Sequence, residues 1–404
     1  MMKPLLVFLV CAMSGIVTQP KPDPSQAARS LSRPYAQFGF DLLRDLATTH
    51  HNTNLFISPA SIAVALAMTS NGAQGATRDA ILKTLHADGQ SAGLKDIDSF
   101  NTANRALVDE LSKATSVQLS MANALWLQQG FPVEPSFNHV LEKDYSAQAE
   151  NVDFRNPATL QNINGWVAKQ TGDRIPRLLD HIDPSTLVML TNAVAFKGKW
   201  TLPFDPKATQ PHDFNCADGK VRSVPMMKHT AEYAYAGANG LEAIRLPYTD
   251  GAFAMYVVLP KDADRMQSFL EQLTPEVFDQ LTSSLQTGKG TIELPRFTIK
   301  FGATLNTALK KLGMGIAFGD TADFAGIQKS RQLQISEVRH ASFLRVDEEG
   351  TEAAAATSIG IRPLAMRVEP PPFNMVVDRP FFVAIRDERS GQILFTGVID
   401  NPAS

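Results

Sequence analysis

The 404-residue sequence predicts one mixed α/β domain, and three observations lead there. Helix-start signals and apolar stretches at helical spacing dominate the first half. From Thr186 onward, short apolar runs bounded by turn residues take over, the mark of strands. Hydrophobic residues make up 44% and charged residues 20% of the chain, enough for a sizeable core and inconsistent with disorder. Length alone would allow two or three domains of about 150 residues. The chain shows no internal repeat and no low-complexity tract beyond one run of alanines, so a single domain is expected.

Taken in order, the N-terminus has the features of an export signal over residues 1–18. Lys3 supplies a positive charge, Pro4 to Met13 form a short apolar run, and Ala12-Met-Ser14 offers small residues for cleavage. An apolar N-terminal strand is the alternative. Cys11 would suit a lipid anchor, but Val10 stands where that signal requires a small residue. Residues 19–34 then read as a polar tether, with prolines and a lysine between Gln19 and Gln26. This places the protein outside the cytoplasm, secreted or periplasmic. With the signal removed, Cys216 is the only thiol and no intrachain disulfide is available. The sequence holds no Asn-x-Ser/Thr acceptor, which favours a bacterial source over a glycosylated secreted one. Ser58 followed by Pro59 is an N-cap with proline at the first helical position, leading into the apolar run Ile62 to Met68. Asn71-Gly72 and Gly75 break that helix, and Thr77 to Leu85 restarts it. Residues 92–112 read as a further amphipathic helix. Ala252 to Leu259 and Gly391 to Val398 read as buried sheet strands.

Charge and motif content exclude several classes. A formal net charge of -3 offers no general attraction for nucleic acid or an acidic membrane. No apolar run is long enough to span a bilayer. There is no phosphate-binding glycine loop, no Gly-x-Ser-x-Gly elbow, and no Cys-x-x-Cys or His-x-x-x-His pair. His50-His51 falls in a polar stretch that reads as a solvated loop. No enzyme activity, cofactor or metal is expected.

The stretch from Asp347 to Met366 stands apart because it has two plausible conformations. Read at period two, Thr351, Ala353, Ala355, Thr357, Ile359 and Ile361 share one face, while Glu352, Ala354, Ala356, Ser358, Gly360 and Arg362 share the other. That is the pattern of a half-buried strand, yet it lacks the bulk to nucleate one. An Ala-rich surface helix is the alternative, since Glu-Ala-Ala-Ala-Ala has high helix propensity.

Short motifs elsewhere decide between them. They run Leu55-Phe-Ile-Ser-Pro-Ala-Ser-Ile62, Asn123-Ala-Leu-Trp126, Ile163-Asn-Gly-Trp-Val167 with Thr171-Gly-Asp-Arg-Ile175, and Leu190-Thr-Asn-Ala-Val-Ala-Phe-Lys-Gly-Lys-Trp200 with Phe204. Leu246-Pro-Tyr248, Leu259-Pro260, Leu294-Pro-Arg-Phe297, Leu312-Gly-Met314, Asp378-Arg-Pro-Phe381, Leu394-Phe-Thr-Gly-Val398 and Asn401-Pro402 follow. In this order, from about Tyr35 to Pro402, they resemble the serpin family. The resemblance implies a serpin domain over 35–404, with about nine helices around three β-sheets and an exposed reactive-centre loop over about 348–372. It also implies a function: irreversible suicide-substrate inhibition of a serine endopeptidase. The protease cleaves the loop and is held as a covalent acyl-enzyme while the freed loop inserts into the central sheet.

Residue roles follow from the same resemblance. Glu348, Glu349, Gly350, Thr351, Glu352, Ala353, Ala354, Ala355, Ala356 and Thr357 would form the hinge, with no bulky or charged residue on the inserting face. Ser58, Asn192 and His340 resemble the polar cluster beneath the opening sheet. Trp200, Arg296 and Glu348 resemble the group at its top, ordinary core packing or a surface ion pair being the alternative for each. Counting fourteen residues beyond Gly350 gives Leu364, with Ala365 on the leaving side, which suits chymotrypsin-like or elastase-like proteases. Pro363 blocks attack after Arg362. The segment after the cut is about two residues longer than usual, and Met375 stands where a phenylalanine is common, leaving Met366 and Arg367 open as alternative cleavage points. Ala195 likewise replaces a usual aromatic, which bears on packing in that strand. Residues 92–112 mix Lys95 and Arg105 with Asp96, Asp98, Asp109 and Glu110, arguing against heparin binding. The implied partner is a target protease. The implied state is a monomer, with loop–sheet polymers as the hazard of the same loop. Inhibition of cysteine proteases, or a noninhibitory carrier or chaperone role, is the alternative.

Overall fold

The computed structural model describes residues 24–403 apart from 90–93, 115–116, 239, 263–264, 330–331 and 351–370. The expected signal and most of the expected loop lie outside these residues. In chain order the first half contributes α1 (Pro24–Ser30), α2 (Ser32–Ala47), β1 (Leu55–Ile57), α3 (Pro59–Ser70), α4 (Gly75–Thr84), α5 (Ile97–Ser112), β2 (Val117–Gln128), α6 (Pro135–Tyr145), β3 (Gln148–Val152) and α7 (Ala158–Gln170). The second half adds β4 (Val188–Gly198), β5 (Gln210–Asn215), β6 (Val221–Ala238), β7 (Leu241–Pro247), β8 (Phe253–Pro260), α8 (Arg265–Gln272), α9 (Pro275–Ser284), β9 (Gln286–Pro295), β10 (Phe297–Thr304), α10 (Asn306–Leu309), β11 (Glu337–Val346), β12 (Phe373–Val376), β13 (Phe381–Asp387) and β14 (Ile393–Ile399). Nine helices among the described residues reach seven residues or more. None is long and apolar enough to cross a membrane.

The tether expected over 19–34 needs correction. From Pro24 its chain is helical, because Ala28 and Leu31 bury completely and give α1 an apolar face against α5. The helix expected over 92–112 starts later, at Ile97, because Asp96 and Ser99 form a capping box that fixes the first turn.

Two hydrogen-bonded layers enclose the core. One is a five-stranded sheet in the order β10-β11-β4-β2-β3. The other is a nine-stranded sheet following the path β1-β14-β13-β8-β7-β6-β9-β12, with β5 on β6. Helix α3 lies between the layers and contacts β2, β4 and β14. Every residue of it is buried, as a helix apolar on all sides requires. The Ser58 side chain caps it by accepting the backbone N–H of Ser61 at 3.3 Å. Helix α7 covers the opposite face of the five-stranded sheet. There Val167, Ile175 and Phe343 pack on Ala122, Ala193, Ala195 and Ala341. Ala195 is paired in register with Phe343, so the neighbouring strand supplies the ring that β4 lacks.

Beyond residue 370 the chain returns at β12, which pairs parallel with β9. Phe373 stacks flat on Tyr235, ring centroids 4.0 Å apart and planes 6° from parallel. It lies across Gly290, where any Cβ would strike the ring.

Candidate functional site

The five-stranded sheet has two parallel junctions, β2–β3 near its edge and β11–β4 at its centre, and only the second adjoins the Gly350 turn. β10 and β11 are antiparallel, as are β4 and β2, but β11 and β4 run side by side in parallel from Glu337↔Met189 to Leu344↔Phe196. A strand entering between them from the end of β11 would run antiparallel to both neighbours. Two antiparallel ladders would then replace one parallel ladder, and parallel pairing is slightly the weaker per residue. The junction is therefore a seam that can open with a gain in pairing.

The chain is already turned toward that seam. After Val346 the backbone folds in a tight turn in which Asp347 N–H donates to Gly350 C=O (2.8 Å) and Gly350 N–H to Asp347 C=O (3.2 Å). Gly350 lies against Lys199, just past the end of β4, in an antiparallel bridge. Trp200 N–H donates to Glu349 C=O (3.0 Å) and Phe204 N–H to Glu348 C=O (2.7 Å). Gly350 has φ +138°, and a Cβ there would collide with the backbone of Gly198, Lys199 and Trp200. Only glycine fits this position without displacing β4.

Side chains at the top of the seam hold the turn. Trp200 stacks on Tyr248 with centroids 4.6 Å apart and planes at 14°, while its indole N–H donates to Asp347 C=O at 3.0 Å. The Glu348 carboxylate is buried and accepts from Thr209 Oγ1 at 2.6 Å and from the Arg296 guanidinium. Burial pushes its carboxyl up, but the Arg296 and Thr209 hydrogen bonds outweigh that and hold it below the usual range. Arg345 pairs with Asp347 at 3.2 Å. Trp200, Arg296 and Glu348 thus all lie at this turn. Thr209 and Tyr248 complete the group; Tyr248 stands in a motif that carried no assigned role.

Lower down, three polar residues stand abreast across the seam: His340 on β11, Asn192 on β4 and Asn123 on β2. Asn192 Nδ2 donates to Ser61 Oγ (2.6 Å) and Asn123 Oδ1 (2.5 Å), so its Oδ1 is left to accept from His340 Nδ1 (2.6 Å). That fixes the tautomer: His340 Nε2 is a bare acceptor, buried without a partner among the described residues. Complete burial pushes the imidazole pKa down to about 3. Ser342 Oγ donates to Phe56 C=O and Ser58 Oγ to Leu394 C=O, each at 2.6 Å, pinning β11 and the α3 start to the second layer. Asn192 and His340 touch directly, whereas Ser58 joins them only through Ser61. Ser61, Asn123 and Ser342 carried no assigned role although the first two sit inside recognised motifs. Insertion would break the His340–Asn192 bond but leave Asn192 bonded to Ser61 and Asn123.

Of the hinge, Glu348, Glu349 and Gly350 are described. Thr351, Glu352, Ala353, Ala354, Ala355, Ala356, Thr357, Leu364 and Ala365 lie outside the described residues. Among the described residues no cluster of histidine, cysteine and acidic side chains could hold a metal ion. Cys216 is a buried free thiol.

Comparison with known proteins identifies the architecture. A family model described as serpin (serine protease inhibitor) matches residues 33–402. The chain belongs to the serpin family. The wheat (Triticum aestivum) serpin-Z2B is 34% identical over 386 residues, covering 91% of this chain and 95% of its own length. Among solved structures, the mouse protein-Z dependent protease inhibitor superposes with a TM-score of 0.84 at 28% identity, covering 94% of this serpin and 99% of its own chain. Human thyroxine-binding globulin, complexed with its hormone, gives a TM-score of 0.85 at 27% identity over 94% of this serpin and 100% of its own chain. The family consists in general of protease inhibitors rather than catalysts, with some noninhibitory members.

Two outcomes follow from this geometry. The unfolded state gains a proton on His340 near pH 6.5, whereas the folded state resists it to about pH 3. The His340 contribution to stability is therefore flat above that upper value and falls at about 1.4 kcal/mol per pH unit within the window. Between pH 7.5 and pH 5 the unmodified protein should lose roughly 2 kcal/mol more in urea unfolding than His340→Gln does. A Gly350→Ala variant should lose about 1–3 kcal/mol in the same assay through backbone strain and displacement of β4.

Proposed function

We propose that this serpin is a suicide-substrate inhibitor of serine endopeptidases. The observation that carries this reading is the poised turn at Gly350, at the top of the parallel β4–β11 seam, where a strand entering from that turn would pair antiparallel on both sides. The sequence beyond it meets the steric demand of entry. Thr351, Ala353, Ala355 and Thr357 present no bulk or charge to the sheet, and the only hinge charge beyond Gly350, Glu352, falls on the other face. Each new backbone hydrogen bond contributes about 0.5–1.5 kcal/mol, against about 1–2 kcal/mol per residue for ordering. These nearly cancel, so net drive requires burial of Ile359 and Ile361 and release of strain in the five-stranded sheet.

The reaction has the target serine attack the Leu364 carbonyl, break the Leu364–Ala365 peptide bond and leave an acyl-enzyme. Insertion then carries the acylated protease away from its substrate position before water can hydrolyse the ester. Leucine at the cut fits chymotrypsin-like or elastase-like primary pockets. An export signal over residues 1–18 and the lone thiol Cys216 support an extracytoplasmic site of action, with the protein a monomer. A carrier role is the second reading, favoured by the likeness to thyroxine-binding globulin, a serpin solved with a hormone bound.

Incubation with elastase or chymotrypsin should give a complex that survives denaturing electrophoresis, and Thr351→Arg should be cleaved without forming it. Complex formation by that variant would refute the insertion route; quantitative cleavage of the unmodified protein without complex would favour the carrier. Mass spectrometry of the released C-terminal fragment should begin at Ala365. A start at Arg367 or Val368 would move the reactive bond to Met366 or Arg367.

A further inference from the structure

Away from the seam, a cavity of about 370 Å³ opens between the end of α2, helix α8 and the C-terminal tail. Ala47, His50 and His51 form one wall, Met266 and Leu270 another, and Asp400 lies at its edge. None of its lining residues belongs to β4, β11 or the Gly350 turn, so nothing in the inhibitory geometry accounts for it.

Asp400 is held there deliberately by its backbone. Asn54 Oδ1 accepts the N–H groups of both Asp400 and Asn401 at 2.9 Å, and Asn54 Nδ2 donates to Asn401 C=O at 2.7 Å. Ala217 N–H donates to Asp400 C=O at 3.3 Å. The backbone is therefore fixed on both sides while the half-buried carboxylate has no hydrogen-bond or ion-pair partner among the described residues. No lysine or arginine lines the cavity. A carboxylate withdrawn from water without a counter-ion costs stability. Here the consequence is visible in titration, since burial pushes the Asp400 carboxyl up to about 6.

We propose that this cavity binds a small organic cation, a protonated amine carrying an apolar body, with Asp400 as its counter-ion. Met266 and Leu270 would receive the apolar part, and the volume lies at the low end of small-molecule sites, about 300–1,000 Å³. His50 is tied through Nδ1 to Leu46 C=O at 3.1 Å, and His51 is exposed at the rim. Below about pH 6 Asp400 loses its charge, which weakens binding in acid.

Calorimetric titration of the full-length protein at pH 8 with phenethylamine tests this. One saturable site is expected, weakened about tenfold or more by Asp400→Asn. On the unmodified protein, 2-phenylethanol and 3-phenylpropionate, alike in shape but without the positive charge, should bind at least about tenfold more weakly. Affinity for phenethylamine should fall at pH 5. Absence of saturable binding, equal affinity for 3-phenylpropionate, or full affinity in the Asp400→Asn variant would overturn the assignment. The ligand series on the unmodified protein decides the matter even if that variant does not fold.

Discussion

The parallel pairing of β4 with β11 is the constraint on which the rest of this molecule depends. Two central strands share a ladder that neither needs permanently, because both would bond at least as well to an antiparallel strand placed between them. The surrounding structure is arranged so that the ladder holds until displaced. Its upper end is clamped by a glycine turn too tight for any other residue, an indole on a carbonyl and a buried carboxylate on a guanidinium. Its middle carries a hydrogen bond between His340 and Asn192 whose partners have other attachments to fall back on or tolerate burial uncharged.

The two faces of the seam are treated differently. On the inner face, α3 is apolar all round and tied to the second layer through Ser58, so it cannot follow β11 if that strand moves. On the outer face, Ile175 lies across alanines of both β4 and β11, with Phe343 filling the space over Ala195. Small side chains on the sheet keep this contact shallow.

Much of this was legible in the sequence, and the exceptions have physical causes. Ser58-Pro59 announces a helix start by capping chemistry alone, and strands β8 and β14 announce themselves as apolar runs. Asn192, His340, Trp200, Arg296 and Glu348 were found through motif resemblance, since no local rule places a histidine of β11 beside an asparagine some 148 positions earlier. Ser61, Asn123, Ser342 and Thr209 escaped because a small polar residue looks the same facing solvent or a buried partner; only strand register separates the cases. Helix α1 was missed because Ala28 and Leu31 are sparse apolar signals whose meaning depends on α5, far along the chain. Asp400 was unremarkable as a letter, and its isolation is a property of the tertiary fold alone.

The stacking of Phe373 on Tyr235 bears on when the molecule can change form. Twenty residues, 351–370, separate the Gly350 turn from the described chain before β12. Filling a groove as long as the eleven-residue β4 would use about 36 Å of extended chain. The eleven residues that then remain before Phe373 reach about 36–40 Å, so the return to β12 would have to run almost fully extended. While β12 stays docked, an uncut chain has almost no slack for entering the seam to that depth. The seating of one aromatic ring on β6 therefore adds a second restraint, remote from the seam, on any rearrangement of the intact chain.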